Sequence, residues 1–475
     1  MLAFSDAVIA GLAGDGGLYV PATIPDVRAK LAEWRSLPYN DLCRAIFQCY
    51  CDGNLGAKAL GGMIEESYAA FPHADVTPLV RVGEAFVLEL FHGPTLAFKD
   101  LALQFLGILF EHLLRHRGTR MTVLGATSGD TGSAAIHALR GKRGIEVFML
   151  HPHGRVSPMQ RRQMTTVPDA NIHCVAVEGS FDDAQAVVKD LFNDHSFNDE
   201  VNLGAVNSIN WARIMAQIVY YFYAYFRLLE WPSAELPARR AMALGAPVRF
   251  AVPTGNFGHI YAGYLAKRMG LPIERLILAT NANEILHRVV QTGVYRVGQV
   301  MPTVSPSMDI QVASNFERYL FELAGRDASQ LRSWMSNFSV NGELKLDTSV
   351  FTRVADDFVS AGVDETETLA TMREVWERHG YLFDPHTAVG VQAARIYAAS
   401  NDAVPTICMA TAHPAKFAEA VHRAIGEEPP LPPSLAGLGD LPERLTVLPA
   451  ESGAVRTFIR ETLTRNAAGA SVGNK

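Results

Sequence analysis

The chain has 475 residues, too many for one hydrophobic core, so two or three domains are expected. Its 48% hydrophobic residues favour a globular interior, and its formal net charge of -7 argues against nonspecific nucleic-acid binding. The five cysteines form no C-x-x-C pair, which argues against a disulfide framework or a zinc ribbon and favours a reduced, cytoplasmic setting. No apolar run is long enough to span a bilayer, so no membrane partner is expected.

In chain order, the first 75 residues or so are predicted to be mostly helical. From residue 86 onward, apolar runs typical of buried strands alternate with helical patterns, and a long helix is predicted over 210–230. The predicted strands are 86–90, 121–126, 146–150, 172–177, 248–252, 275–280 and 404–410. This alternation predicts an α/β fold with parallel sheets covered by helices. We expect a mostly helical N-terminal region over 1–85, a smaller α/β domain over 86–205 and a larger one over 206–475.

Lys99 lies at a predicted turn from strand to helix, which Gly93 and Pro94 mark. It falls in the first turn of the helix, where a cation is unfavourable for the helix dipole. A lysine that extends to solvent is the simpler interpretation of the local pattern. The alternative is a lysine whose amine is held near neutral and attacks a carbonyl.

Four residues between a predicted strand and helix, Gly255, Asn256, Phe257 and Gly258, form a candidate phosphate cradle. Glycines let the backbone approach a ligand, and a helix N-terminus favours an anion. The segment matches neither G-x-x-x-x-G-K-[ST] nor G-x-G-x-x-G. A tight turn that serves only packing explains the same glycines.

The loop over 127–133 has the same placement and offers hydroxyl and N–H groups for an anion the size of a carboxylate. The candidate ligands are Thr127, Ser128, Gly129 and Thr131, whereas Asp130 is expected to cap the following helix. A cluster of capping residues is the alternative interpretation. No G-x-S-x-G is present, which disfavours a hydrolase nucleophile.

Two later segments, 384–387 and 411–416, contain histidines but match no common metal motif, so helix caps and no metal are expected. Thr411 supplies a hydroxyl at a predicted strand end. A reactive lysine, a phosphate cradle, a carboxylate loop and this hydroxyl together suit a phosphorylated aldehyde bound as an imine to lysine. That chemistry belongs to pyridoxal 5'-phosphate.

Residues 90–100 closely resemble the cofactor-lysine segment of the threonine synthase family. Further segments similar to this family follow in its order at 11–21, 127–132, 255–258, 305–310, 314–318, 384–390 and 410–416. The resemblance implies a fold-type II pyridoxal-phosphate enzyme with two parallel-sheet α/β domains of the tryptophan synthase β-like architecture. It also implies conversion of O-phospho-L-homoserine and water to L-threonine and phosphate, the last step of threonine biosynthesis.

By matching, the resemblance implies that Lys99 forms the imine in the smaller domain. The larger domain would hold the cofactor phosphate at residues 255–258 and the pyridine nitrogen at Thr411. Residues 127–131 would receive the substrate carboxylate or the cofactor's phenolic oxygen. His259 follows the cradle where the family frequently has Asn or Asp, so it is not assigned to binding.

The substrate's phosphate is expected at Asn210 and Arg213, which are three residues apart and so share one predicted helical face. Arg213 lies near the helix start, where a cation is unfavourable unless an anion is close. An ion pair with an acidic side chain is the alternative, in which case Arg161, Arg162 and Arg318 become the candidates.

The expected partner is a small-molecule substrate, and the expected assembly is a monomer or a homodimer. A dehydratase or a β-replacement synthase would share Lys99 and the cradle but would need no second phosphate site. A cofactor-free binding protein is the remaining alternative, against which Lys99, the cradle and Thr411 together argue.

Overall fold

The structure is a computed structural model that describes residues 1–51, 53, 55–236, 241–398 and 404–472. Its helices are α1 Phe4–Ala10, α2 Leu31–Trp34, α3 Tyr39–Gln48, α4 Ala57–Tyr68, α5 Lys99–Arg117, α6 Asp130–Leu139, α7 Pro158–Thr165, α8 Phe181–Asn193, α9 His195–Val201, α10 Trp211–Leu229, α11 Gly258–Arg268, α12 Ile285–Thr292, α13 Phe316–Leu323, α14 Ala328–Asn341, α15 Thr348–Asp357, α16 Glu365–His379, α17 Pro385–Ala398, α18 Ala418–Ile425 and α19 Ser452–Val472.

The described strands form two main sheets and one short antiparallel pair. They are β1 Leu79–Val82, β2 Ala85–Glu89, β3 Met121–Ala126, β4 Ile145–Pro152, β5 Ile172–Glu178, β6 Leu203–Gly204, β7 Val248–Pro253, β8 Ile273–Thr280, β9 Val294–Arg296, β10 Glu343–Lys345, β11 Phe358–Gly362, β12 Thr406–Ala410 and β13 Thr446–Pro449.

The first of two compact units contains a six-stranded sheet in the order β1-β2-β12-β7-β8-β11. The unit comprises Met1–Val8, Leu12–Ala102 and Ser208–Pro432. Five of the strands run parallel, and β1 joins the edge antiparallel to β2. Because parallel strands end at one edge, the loops after β2, β7, β8 and β12 lie along the same edge of the sheet.

The strands of this sheet are apolar because helices cover them. Every residue of β7 is buried, which is typical of a central parallel strand. The long helix α10 is buried along almost its whole length, including the aromatic run 220–223. These aromatic residues therefore belong to the core.

The second unit is built on a parallel five-stranded sheet in the order β13-β5-β4-β3-β6. It comprises Ile9–Gly11, Leu103–Asn207 and the chain from Pro433 onward. Its core cluster joins apolar residues of β3, β4 and β5 to residues of α8 and α19, including Phe148, Leu191 and Ile459.

The α/β fold class is confirmed, and each predicted strand has a counterpart within a few residues. The units differ from the predicted division at 85/86 and 205/206. Strand β2 and Lys99 lie in the first unit because β2 pairs with β12, and the chain from Pro433 lies in the second because β13 pairs with β5. Within the described ranges, no helix combines the length and the apolar character needed to cross a membrane.

Candidate active site

The segment before Lys99 is held against the segment that contains Thr411. The N–H of Phe98 donates to the carbonyl of Thr411 at 2.8 Å, and the N–H of His413 donates to the carbonyl of Leu96 at 3.0 Å. These two bonds form an isolated antiparallel bridge between Ala97 and Ala412, just after the strands β2 and β12, which pair in parallel. The segment that leads into Lys99 is therefore fixed by backbone hydrogen bonds to the segment that contains Thr411.

A buried carboxylate shapes the turn that leads into α5. Asp100 accepts hydrogen bonds from the N–H of Thr95 at 2.8 Å and from its hydroxyl at 2.7 Å. Burial raises the pKa of Asp100 to about 6, although the bonds from Thr95 and the charge of Lys416 oppose that rise. A Cβ on Gly93 would lie 2.5 Å from the Cβ of Asp100, so the turn requires glycine there.

Lys99 is the first residue of α5 and is buried, with 9% of its surface exposed. Its Nζ lies 3.2 Å from the Oγ of Ser307 and 5.9 Å from the centre of the Phe98 ring. The simpler interpretation from the local pattern, a lysine that extends to solvent, is therefore wrong. The amine is therefore buried within the first unit, next to the hydroxyl of Ser307.

The candidate cradle is a tight turn whose backbone is closely approached. Phe257 adopts a left-handed conformation with φ +64°, immediately before α11 begins at Gly258. A Cβ on Gly255 would lie 2.6 Å from the carbonyl oxygen of Ser307. Packing alone thus demands glycine at position 255, and it places this turn beside the residue that contacts Lys99.

Thr411 is also tied to the segment around Asp384. The N–H of Thr411 donates to the hydroxyl of Thr387 at 3.1 Å, and that hydroxyl donates to the Asp384 carboxylate. His386 lies between Asp384 and Ser307: its Nδ1 is 2.8 Å from the carboxylate, and its Nε2 accepts from the Ser307 N–H at 3.2 Å. The two predicted caps are confirmed: Asp384 also accepts from N–H groups of the first turn of α17, and the side chain of His413 accepts from the N–H of Ala415 at 3.1 Å.

In the second unit, the loop after β3 folds around the hydroxyl of Thr127. This oxygen accepts from the N–H of Gly129 at 3.0 Å and of Gly132 at 2.9 Å. Ser128 is exposed and Thr131 is half-buried, so both side chains are accessible at the start of α6.

The prediction that Asp130 caps α6 is wrong. Gly129 occupies the N-cap position, with φ 147°, and no side chain caps the helix there. The Asp130 carboxylate instead accepts a hydrogen bond from the Nε2 of Gln160 at 2.8 Å, because Gln160 packs against the loop.

Three family models together cover most of this chain. A model described as pyridoxal-phosphate dependent enzyme matches residues 71–337, one described as threonine synthase N terminus matches 1–68, and one described as threonine synthase, C-terminal matches 387–459. The chain belongs to the threonine synthase family.

Similar proteins agree over nearly the full length. The chain is 48% identical to a threonine synthase of Pseudomonas aeruginosa, with 97% of this chain and 96% of the relative covered. A crystal structure of PLP-bound threonine synthase from Brucella melitensis superimposes with a TM-score of 0.91 at 46% identity, covering 97% of each chain. The yeast threonine synthase structure gives a TM-score of 0.90 at 42% identity, covering 97% of this chain and 96% of that one.

In this threonine synthase family member, Asn210 is a helix cap. It precedes α10, and its side-chain oxygen accepts from the N–H of Ala212 at 3.0 Å while its amide donates to the carbonyl of Val8 at 2.9 Å. The expectation that it projects from the same helical face as Arg213 is therefore wrong. Arg213 itself is in the first turn and is 3% exposed, and burial lowers its pKa to about 10.

The three arginines considered as alternatives for binding the substrate's phosphate contact other groups of the protein. Arg318 is 1% exposed and donates to the carbonyls of Tyr19 and Ile209, so it ties the N-terminal segment and the start of α10 to α13. In the second unit, Arg161 pairs with Glu443 at 2.9 Å, and Arg162 donates to a backbone carbonyl at 3.2 Å.

His259, which the sequence analysis did not assign to binding, packs against the residue before the lysine. Its ring stacks on Phe98 with centroids 4.8 Å apart, and burial lowers the pKa of His259 to about 3. The neutral imidazole of His259 therefore packs against the residue that precedes Lys99.

Sequence reasoning gave no role to Ser307 or His386, although both lie in segments similar to the family. The signal available was the resemblance of the segments 305–310 and 384–390 to the family, without a role for either side chain. Among the residues that the structure describes, no group of three or more His, Cys, Asp or Glu side chains is arranged to hold a metal ion.

Proposed function

We propose that this chain converts O-phospho-L-homoserine and water to L-threonine and phosphate, using pyridoxal 5'-phosphate attached to Lys99. The bound cofactor supplies a conjugated ring that delocalises the charge left when a proton is removed from the substrate's Cα. The observation that carries the proposal is the buried Lys99 amine, 3.2 Å from the Ser307 hydroxyl, in a member of the threonine synthase family.

The first unit contains groups that fit this cofactor. Lys99 would carry it and, when displaced by the substrate's amine, would move the proton at Cα. Gly255, Asn256, Phe257 and Gly258 would hold its phosphate, because backbone N–H groups and the N-terminus of the 11-residue helix α11 favour an anion. Gly255 packs so closely against the carbonyl of Ser307 that a Cβ has no room there, which fixes this turn beside the residue that contacts Lys99.

Thr411 would hydrogen-bond the pyridine nitrogen. Its backbone N–H and carbonyl are both bonded, to Thr387 and Phe98 respectively, so the residue is held in place. A neutral hydroxyl can donate to an unprotonated nitrogen, whereas a carboxylate would favour its protonation.

The loop of the second unit would receive the substrate's carboxylate or the cofactor's phenolic oxygen. Ser128 and Thr131 supply accessible hydroxyls, while Thr127 and Gly129 set the loop's shape through their internal hydrogen bond. The N-terminus of α6 adds a favourable field for an anion.

Arg213 would bind the substrate's γ-phosphate. Its guanidinium is buried near the start of α10, where an anionic ligand would offset both the loss of solvation and the unfavourable end of the helix dipole. Asn210 would contribute by capping that helix and so fixing its first turn.

A product assay tests the function. Purified protein with pyridoxal 5'-phosphate and phosphohomoserine should release equal amounts of threonine and inorganic phosphate. A dehydratase would instead form a 2-oxo acid from threonine or serine and leave phosphohomoserine intact. A protein without visible absorbance after cofactor loading would be a cofactor-free homologue.

We also propose that the protein acts in the cytoplasm as a monomer or homodimer. The five cysteines are free thiols and four of them are buried, which suits a reducing compartment. Light scattering during size-exclusion chromatography and cell fractionation test these two statements.

A further inference from the structure

A closed ring of hydrogen bonds joins Lys99 to Thr411 through four polar residues of the first unit. On one side, the Lys99 amine donates to the Oγ of Ser307 at 3.2 Å. The backbone N–H of Ser307 donates to the Nε2 of His386 at 3.2 Å, and the Nδ1 of His386 lies 2.8 Å from an oxygen of Asp384. This side of the ring therefore ends on a carboxylate.

The other side of the ring returns from Asp384 to the cofactor-lysine segment. The hydroxyl of Thr387 donates to the second oxygen of Asp384, and the N–H of Thr411 donates to the Thr387 hydroxyl at 3.1 Å. The carbonyl of Thr411 accepts from the N–H of Phe98 at 2.8 Å, and Phe98 directly precedes Lys99. Both sides thus meet at the same carboxylate.

The donors and acceptors in the ring have only one consistent arrangement. A backbone N–H can only donate, so Nε2 of His386 is the unprotonated nitrogen and Nδ1 carries the hydrogen that Asp384 accepts. The Thr387 hydroxyl donates to the carboxylate and keeps a lone pair for the Thr411 N–H. Because Asp384, His386 and Thr387 are each at most 3% exposed, water competes little for these bonds.

Helix capping alone does not explain this ring. As a cap of α17, Asp384 needs only the N–H groups of His386 and Thr387, which it accepts at 2.9 and 3.3 Å. The imidazole of His386 and the hydroxyl of Thr387 are not needed for that purpose. Both side chains instead bond to the backbones of residues beside or within the proposed cofactor site.

We propose that Asp384, His386 and Thr387 form a positioning network that holds Ser307 beside the Lys99 amine and, at the same time, holds Thr411 toward the cofactor ring. The inference rests on the proposed function, because it takes Lys99 and Thr411 as the cofactor's contacts. These three residues act through Ser307 and Thr411 and touch no reacting atom. Their loss should change how the lysine-bound cofactor absorbs and titrates.

The first test compares Thr387→Val with Thr387→Ser. Valine removes the hydroxyl at similar volume, and serine keeps it. In the holoenzyme, Thr387→Val is expected to shift the pH midpoint of the visible absorbance and to raise the Kd for pyridoxal 5'-phosphate about tenfold, as expected for one buried hydrogen bond. Thr387→Ser is expected to return both values close to wild type.

Thr368→Val is the matched control. Thr368 is a buried threonine of α16 whose hydroxyl donates to the carbonyl of Asp364 at 2.7 Å, outside the ring. This variant should lower thermal stability without changing the absorbance midpoint or the Kd. Thermal unfolding of all three variants shows whether each is folded.

The second test compares His386→Gln with His386→Leu. A glutamine oxygen can accept from the Ser307 N–H, whereas leucine cannot. His386→Leu is therefore expected to shift the absorbance midpoint further than His386→Gln. If Thr387→Val and His386→Leu both match Thr368→Val in midpoint and Kd, the ring is only a helix cap and the proposal is overturned.

The wild-type product assay separates this proposal from the proposed function. If the wild-type protein makes no threonine but Thr387→Val shifts the pH midpoint of the cofactor's absorbance, the network is supported and the proposed function is overturned. A wild-type protein that makes threonine, with unshifted variants, overturns the network alone.

Discussion

The carbonyl oxygen of Ser307 lies 2.6 Å from the position that a Cβ would occupy on Gly255. The hydroxyl of the same serine accepts a hydrogen bond from the Lys99 amine at 3.2 Å. Ser307 therefore connects the proposed phosphate turn to the proposed cofactor lysine. A substitution at Gly255 should affect both the turn and the surroundings of the Lys99 amine.

Gly255→Val is expected to weaken cofactor affinity about tenfold or more, because the branched side chain would push Ser307 away and block the backbone's approach to a phosphate. Titration of the apoprotein with pyridoxal 5'-phosphate, followed by absorbance, measures the change. Gly62→Val is the control, since a Cβ at position 62 meets nothing within 4 Å. Equal affinities in the two variants would remove the phosphate from this turn.

Lys99→Ala is expected to abolish the covalent attachment and to lower turnover by about a thousandfold or more, because the attachment point and the proton carrier are lost together. Borohydride reduction of the wild-type holoenzyme, followed by peptide mapping, should place the label on Lys99. Lys416 is an informative comparison because it is also a buried lysine of the first unit, and it donates to the carbonyl of Thr95 at 2.7 Å. A label on Lys416 would contradict the assignment.

Thr411→Asp is expected to change the cofactor's absorbance and its pH dependence, because a carboxylate favours a protonated pyridine nitrogen. Thr411→Ser keeps the hydroxyl and should leave the spectrum close to wild type. Absorbance spectra recorded between about pH 5 and pH 8, where folded proteins tend to be most stable, test this. Identical spectra for the wild type and both variants would place Thr411 away from the cofactor's pyridine ring.

Arg213→Leu is expected to raise the KM for phosphohomoserine by roughly 10-fold to 100-fold and to weaken inhibition by inorganic phosphate, as for one lost charge-assisted contact. Cofactor affinity should not change. Arg227→Leu, near the other end of α10, is the control because Arg227 pairs with Glu230 at 3.3 Å. A wild-type KM and phosphate inhibition in Arg213→Leu would make this arginine structural.

Asp100 should make the protein less stable as the pH rises from about 4 to about 6. Burial raises the pKa of Asp100 from 3.8 to about 6, so the folded protein holds a proton that the unfolded chain releases first. The resulting loss is on the order of 2–3 kcal/mol by linkage. Chemical denaturation at several pH values gives the free energy of unfolding, which should change less with pH between about 4 and about 6 in Asp100→Asn than in wild type. An equal dependence on pH in the two proteins would contradict the raised pKa.

The strand positions were predictable because they depend on local sequence. The run 121–126 is a continuous apolar segment bounded by turn residues, and β3 spans those residues. By contrast, β11 and β13 were not predicted, since short strands at the edge of a sheet carry only a weak local pattern. The pairing of β2 with β12 could not be predicted from local sequence either, because more than 300 residues of chain separate the two strands.

The same division applies to the site. By itself, the sequence determined the α/β class, the turn that carries Lys99, the glycine turn at 255–258 and the similarity to the threonine synthase family, because apolar runs, glycines and motifs are local properties. Only the tertiary structure decided that Lys99 is buried, that Asn210 is a cap and that Asp384 joins Ser307 to Thr411. The physical reason is that burial and hydrogen-bond partners come from distant parts of the chain: Ser307 reaches Lys99 across a separation of 208 residues.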